Sequence, residues 1–421
     1  MFEMTHLKRV CALFLLVPAL ALLGGCEKDE GPTSPDVDEG LAAGLNYVGY
    51  ADAQAQNPTC IRCHSEATLN WRQTGHARAL HGLYTSDHAA SYCLPCHTTG
   101  WDDSEQIYGA DDAWAAASAD TTLYADVQCE SCHGPGSQHN AIDPDATDVL
   151  VPADQELWAV AACAVCHDGS HHPYFTEWEL SAHAEADVSG SGFGLTVATD
   201  EDCAHCHVAQ SFAEWVKEGE EGYVVGDPVA ITCQACHDSH SRQNPGQLRL
   251  PLGQDVLCGK CHNTEDALPG SDVHHSTWEV YFGELAFEYE GETYTNSAHT
   301  TALGDESCIT CHVFQKPFDP ISGTAVVGHT FEAQVEACQG CHVGATDFDL
   351  YGVQTATQAL IDQLQAEIDA SGPTDETTDA YERAFYVLEV AQNEGSLGVH
   401  NTDYIQKLLQ DAIDKYTPTG S

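Results

Sequence analysis

The 421-residue chain sets 65 acidic residues against 14 basic ones, a formal net charge of −51, and carries 20 Cys, 24 His and two Met. This balance excludes a nucleic-acid binder, because phosphate affinity needs Lys and Arg to displace counterions, and it disfavours docking on anionic lipid. A hydrophobic content of 43% is compatible with folding, although the charge by itself would suggest disorder.

At the N-terminus, Lys8 and Arg9 precede an apolar run from Val10 to Leu23. The run is too short to span a bilayer and fits the hydrophobic region of a signal peptide. It ends in Leu23-Gly24-Gly25-Cys26, which resembles the lipobox of bacterial lipoproteins and implies a lipid-bearing Cys26. Ordinary cleavage nearby, with Cys26 an unmodified thiol, is the plainer alternative. Residues 1–25 therefore read as a lipoprotein signal peptide, and 26–45, rich in Asp, Glu, Gly and Pro, as an acidic flexible tether. The expected location is exported and lipid-anchored, at the periplasmic face or at the outer membrane and cell surface.

From residue 46 to 350 every cysteine belongs to a CxxCH unit. In chain order these are Cys60-Cys63-His64, Cys93-Cys96-His97, Cys129-Cys132-His133, Cys163-Cys166-His167 and Cys203-Cys206-His207. Cys233-Cys236-His237, Cys258-Cys261-His262, Cys308-Cys311-His312 and Cys338-Cys341-His342 follow. CxxCH is the attachment motif of c-type haem: one helical turn offers two thiols to the two vinyl groups and an imidazole to the iron. Zinc sites also use CxxC pairs but do not require the following His, and nine such coincidences have a chance on the order of 10⁻¹¹. Thiols two residues apart are also poorly placed for a structural disulfide framework. Nine haem c groups are expected, with about 44 residues of mature chain for each, too few to give every porphyrin its own apolar pocket. The expected fold is mainly α with much irregular loop, a multihaem cytochrome c fold whose core is built from haem.

Haem iron takes a second axial ligand, commonly His or Met. Both methionines, Met1 and Met4, leave with the signal peptide, so His is the expected partner. The motifs fall into three groups of three, each with a His beside small residues between its first and second motifs: His76, His183 and His299. A Trp stands five residues before the first two of these, Trp71 and Trp178. The second and third groups carry His171-His172 and His274-His275 after their first motif, and His139, His240 and His329 lie near the third motifs. His400 completes the set. Taking His172 and His275 from the pairs gives nine distal candidates: His76, His139, His172, His183, His240, His275, His299, His329 and His400. His81, His88 and His205 are left over, and His205 sits inside its own motif loop, badly placed for the same iron.

CIRCH followed by WRQTGHA, CLPCH and CESCHGPGSQH resembles the cytochrome c-552/4 family, and CQACHDSH through to CGKCH resembles the doubled CxxCH motif. GVHN with Tyr404, Leu408 and Leu409 is similar to the closing segment of the pentahaem nitrite reductase and octahaem hydroxylamine oxidoreductase group. The resemblance implies distal-ligand roles for His76, His183, His299, His139, His240 and His400, often toward haems distant in sequence.

Residues 351–421 lack Cys and read as helices. Ala356, Leu360, Ile361, Leu364 and Ile368 follow a 3.6-residue period up to Gly372-Pro373. Tyr381, Phe385, Leu388 and Ala391 mark a second helix, and Asn401 is placed to cap a third with Tyr404, Ile405, Leu408 and Leu409 inward. Functionally the leading expectation is an electron carrier that exchanges with other cytochromes or a quinol-linked donor. A terminal oxidoreductase for nitrite, hydroxylamine or tetrathionate, with one open haem, and a subunit of a polymeric filament or other homo-oligomer are the alternatives.

Overall fold

Helical turns joined by irregular loops make up most of the chain, and the only paired strands among the described residues form two antiparallel hairpins, Tyr50–Asp52 with Asn57–Pro58 and Lys316–Asp319 with Thr324–Val326. The computed structural model describes residues 48–416 apart from 53, 87–88, 101–122, 135, 137–138, 140–157, 159, 187, 189–191, 220–226, 253–256, 304–306 and 372–378. The signal peptide, the tether with Cys26, His88 and Gly372-Pro373 lie outside the described residues. No helix of the described residues is long and apolar enough to cross a membrane.

The CxxCH units shape the chain from residue 57 to 342. The N–H of the motif histidine donates to the carbonyl of the first cysteine at 2.9 Å for His64, His167 and His237, 3.0 Å for His262 and 2.8 Å for His342. One turn of helix thus sets both thiols and the imidazole around a common axis. Many of these turns are only four to seven residues long, as in Cys129–His133, Glu201–His207 and Cys233–Cys236. Helices this short are not stable alone in water.

Little polypeptide core exists to hold them. The buried apolar clusters of the motif region are small: Ala209, Phe212, Ala235 and Leu257; Tyr50, Trp71 and Ala77; Leu80, Leu83 and Leu94. The largest cluster instead joins Val273, Val280, Leu285 and Tyr289 to side chains between Ile361 and Tyr416. Among the described residues between 48 and 270 these small clusters are what the polypeptide packs by itself, an arrangement with room for a further hydrophobic body such as haem.

The sequence repeat is also a structural one. The Trp71 indole N–H donates to the Val127 carbonyl at 2.9 Å, and that of Trp178 to the Ile231 carbonyl at 2.9 Å. Each acceptor stands two residues before the third motif of its group, so the same bond ties that motif to the same helix twice over. The start of the described chain is fixed by Glu130, a buried carboxylate that accepts N–H bonds from Val48, Gly49 and Gly136.

Three long helices close the structure: α1 (Val353–Ser371), α2 (Asp379–Asn393) and α3 (Thr402–Lys415). Tyr404, Ile405, Leu408 and Leu409 are buried in α3 as their spacing predicts, against Ile361, Leu364 and Ile368 of α1 and Ala384, Val387 and Leu388 of α2. Three expectations need correction. Ala356 is exposed and Thr357, one residue on, is the buried position of the first turns of α1. Phe385 faces outward, stacked on Tyr381 with ring centres 5.6 Å apart, because Ala384 takes the inward position. Asn401 precedes α3 without capping it; its amide donates to the carbonyls of Val280 and Tyr281 while its oxygen accepts the Ser297 N–H at 2.8 Å. It is a fastener between the motif region and α3.

Leu408 is fully buried, whereas Ile321 is 95% exposed. Leu408→Ala is expected to destabilise the protein by about 2–5 kcal/mol and Ile321→Ala by less than about 0.5 kcal/mol, measured by chemical denaturation followed by far-UV circular dichroism.

Candidate haem sites

Two imidazoles that share one metal, each bonded through a ring nitrogen at about 2 Å, have ring centres about 6.2 Å apart. The motif histidines meet this spacing with histidines from elsewhere in the chain. His64 faces His139 at 6.2 Å, His133 faces His240 at 6.0 Å, His167 faces His76 at 6.0 Å and His207 faces His274 at 5.9 Å. His237 faces His329 at 6.3 Å, His262 faces His183 at 6.1 Å, His312 faces His400 at 6.1 Å and His342 faces His299 at 6.0 Å. The remaining motif histidine, His97, has His172 as an electrostatic neighbour. Two imidazoles that touched would come closer, as His274 and His275 do at 4.2 Å.

The orientation of several rings is fixed from behind. Nδ1 donates to a backbone carbonyl in His97 (Ala79, 2.8 Å), His237 (Gly246, 2.7 Å), His299 (Val399, 2.7 Å), His312 (Phe331, 2.8 Å) and His329 (Val327, 3.1 Å). With Nδ1 so engaged, Nε2 is the nitrogen left to bind a metal. At several motif histidines and their facing partners, burial also favours the neutral form, the one that ligates. Desolvation holds His167 and His262 down at about 4, with neighbouring histidines adding to the effect. The same cause lowers His76, His133, His183, His207, His237, His312 and His329.

At one motif the facing histidine is not the one expected. His274, not His275, stands opposite His207; His275 lies 5.7 Å from His262, a ring that already faces His183. The two rings lie side by side, with a nitrogen of each within 4.8 Å of the other and of a His207 nitrogen, and sequence alone gives no means of choosing between them. In the other pair His171 is taken up by Phe318, stacked at 3.9 Å, which leaves His172 toward His97. His81 is exposed, and His205 is buried beside Cys206 of its own motif, against Glu265 at 3.2 Å and Trp215 at 4.7 Å.

Neighbouring sites touch, which motif spacing could not reveal. Thiols meet between the first and third motifs (Cys60, Cys129), the second and fourth (Cys96, Cys166), the fourth and sixth (Cys163, Cys233) and the fifth and seventh (Cys206, Cys261). Electrostatic contacts add the third to the fourth (Cys132, Cys163), the sixth to the seventh (Cys236, Cys258) and the eighth to the ninth (Cys311, Cys338). His262 and His312 link the seventh to the eighth. All nine motifs therefore form one connected set, in which the second and fifth branch from the line first, third, fourth, sixth, seventh, eighth, ninth.

Aromatic rings stand at several of these junctions. Tyr174 lies 5.7 Å from His167 and 4.8 Å from His329, and Phe331 lies 4.7 Å from His183 and 5.4 Å from His329. Tyr281 lies 6.2 Å from His400 and donates its hydroxyl to the His299 carbonyl at 2.8 Å. Glu177, not singled out by any sequence pattern, accepts the N–H groups of Val327 and His329 at 2.9 and 2.7 Å and so holds the His329 loop against the second group.

Residues 59–134 match the family described as cytochrome c554 and c-prime, and residues 227–267 match the doubled CXXCH motif. With the nine motifs and their facing histidines, these matches make the chain a multihaem c-type cytochrome that binds haem c. It is 26% identical over 204 residues to the multiheme cytochrome MtrA of Shewanella baltica, covering 45% of this chain and 50% of that one. It is also 26% identical over 137 residues to the C-type polyheme cytochrome OmcC of Geobacter sulfurreducens, 32% of this chain and 16% of that one. The chain thus spans half or less of the length of these curated relatives. In fold it is similar to the outer cell wall cytochrome OcwA, with a TM-score of 0.64 at 20% identity over 88% of this chain and all of that one. The undecaheme cytochrome from the S-layer of Carboxydothermus ferrireducens gives 0.51 at 21% identity over 88% of this chain and 69% of that one.

Replacing a distal ligand leaves its iron five-coordinate and high-spin. His274→Ala is therefore expected to add a high-spin ferric signal to the electron paramagnetic resonance spectrum of the haem-loaded protein, and His275→Ala to leave the spectrum low-spin.

Proposed function

We propose that the protein carries electrons along nine covalently bound haem c groups, each held between two histidines, in the periplasm or at the cell surface. The observation that carries this reading is the repeated imidazole spacing of 5.9–6.3 Å opposite the CxxCH histidines. The cysteines of each motif would hold the porphyrin, with His64, His97, His133, His167, His207, His237, His262, His312 and His342 as proximal ligands. Their distal partners would be, in the same order, His139, His172, His240, His76, His274, His329, His183, His400 and His299. Bound haem supplies one-electron chemistry at iron, between the ferric and ferrous states.

The chain's own contribution is to orient and to connect. Backbone carbonyls behind the rings fix their tautomer, and the short turns leave neighbouring motifs in contact, so that no site stands apart from the rest. All-histidine ligation and the acidic surface both favour the ferric state, so the expected potentials are low. With a second histidine facing each motif histidine, no haem held there would be left with an iron open to substrate, which favours a carrier over a terminal reductase.

The exported, Cys26-anchored location rests on the N-terminal sequence, and the names of OcwA and of the S-layer cytochrome are in keeping with a cell-surface setting. Other redox proteins, cytochromes or a quinol-linked donor, would exchange electrons with it. The surface charge offers a basic partner a field that raises its encounter rate.

Intact-mass analysis of the exported protein, combined with electron paramagnetic resonance of its oxidised form, tests the reading. Nine haem increments and only low-spin ferric signals are expected. Fewer increments would remove the count, and a high-spin signal in fully loaded protein would point to an open, catalytic haem.

A further inference from the structure

The ring of His400 differs from the others in what stands behind it. Where His97, His237, His299, His312 and His329 turn Nδ1 to a neutral backbone carbonyl, His400 turns it to the Glu394 carboxylate at 2.5 Å. Asp238 approaches His240 as well, but only to 3.9 Å, and half of the His240 side chain is exposed to water. The Glu394 side chain is 1% exposed. Its Oε1 also accepts the Ser396 hydroxyl at 2.5 Å and its Oε2 the Ser396 N–H at 3.0 Å, while Ser396 Oγ in turn accepts the His400 N–H at 3.1 Å. Among the described residues the only ion pair of Glu394 is the one with His400, so no Lys or Arg competes for the charge.

A carboxylate behind a metal-bound imidazole makes that imidazole a stronger electron donor than a neutral carbonyl does. Stronger donation stabilises the ferric ion over the ferrous, and burial leaves the effect little screened by solvent or salt. We infer that Glu394 is a positioning residue that lowers the potential of the haem held by His312 and His400. This centre would then be an electron-poor step within the line of sites, between its neighbours at His262 and His342. The inference rests on the ligand assignment proposed above.

The test uses the full-length, haem-loaded protein, with redox potentiometry followed by electron paramagnetic resonance. His400→Ala first marks the centre, by turning one low-spin signal high-spin. Glu394→Gln keeps shape and a hydrogen-bonding oxygen but removes the charge. It is expected to shift the ferric-to-ferrous ratio of the marked centre at least tenfold toward ferrous, a rise of about 59 mV for one electron, with the other centres unmoved. Ser396→Ala keeps the carboxylate on His400 and removes its hydroxyl donor, so the same centre is expected to move the opposite way. An unshifted marked centre in Glu394→Gln overturns the inference. Should that variant itself turn high-spin, Ser396→Ala decides: a downward shift supports the role and an unchanged potential refutes it. If His400→Ala leaves every low-spin signal in place, the ligand assignment itself fails, and the inference with it.

Discussion

Two imidazoles on one metal must stand about 6 Å apart, ring centre to ring centre, each with a nitrogen turned inward. Most of the polypeptide between residues 57 and 400 serves that spacing. The CxxCH turn supplies one ring of each pair from a local i to i+4 hydrogen bond, cheaply and nine times over. The second ring always comes from another part of the chain. His76 reaches the first motif of the second group and His183 the first motif of the third. Each intended pair is therefore also a long-range tertiary contact. Were each pair to bracket one iron, folding of the motif region and binding of its cofactor would be coupled, as with metal sites whose ligands are scattered along a chain.

This coupling explains the uneven core. Among the described residues between 48 and 270 the buried clusters hold three or four side chains each, while residues 273–289 and 361–416 share one larger apolar core. The C-terminal helices are thus the part of the protein able to hold itself together by ordinary burial. They also place facing histidines: Asn401 ties the start of α3 to the segment around Val280 and Ser297, and His400 is delivered one residue earlier. The Val399 carbonyl of the same stretch orients His299. One junction therefore positions both His400 and His299, the histidines that face the last two motifs.

What could be read in advance was whatever is local. The nine attachment turns, the mainly helical fold and the inward face of α3 follow from spacing and period alone. The repeat was visible too, and the matching Trp71 and Trp178 bonds show its physical basis. The pairing was not legible, because it follows no single rule: His240 faces His133 of the group before its own and His76 faces His167 of the group after, whereas His139 and His299 face motifs of their own group. Nor could sequence choose between His274 and His275, or tell that Ala384 rather than Phe385 would turn inward, since both depend on which neighbour arrives first at the space. Glu177 and Glu394 looked like two more acids in a chain of 65. Only their burial behind histidine-bearing segments separates them from the solvated majority, whose charge of −51 excludes nucleic acid and otherwise bears on solubility, potential and the sign of a partner.

The claim on which the rest depends is that each facing pair of imidazoles brackets one iron. Anomalous diffraction from crystals of the haem-loaded protein at the iron absorption edge tests it directly. Nine iron peaks, each midway between a CxxCH histidine and the partner assigned to it, are the predicted result. Iron positions off these midpoints, or a motif histidine whose partner ring has turned away from the metal, would contradict it.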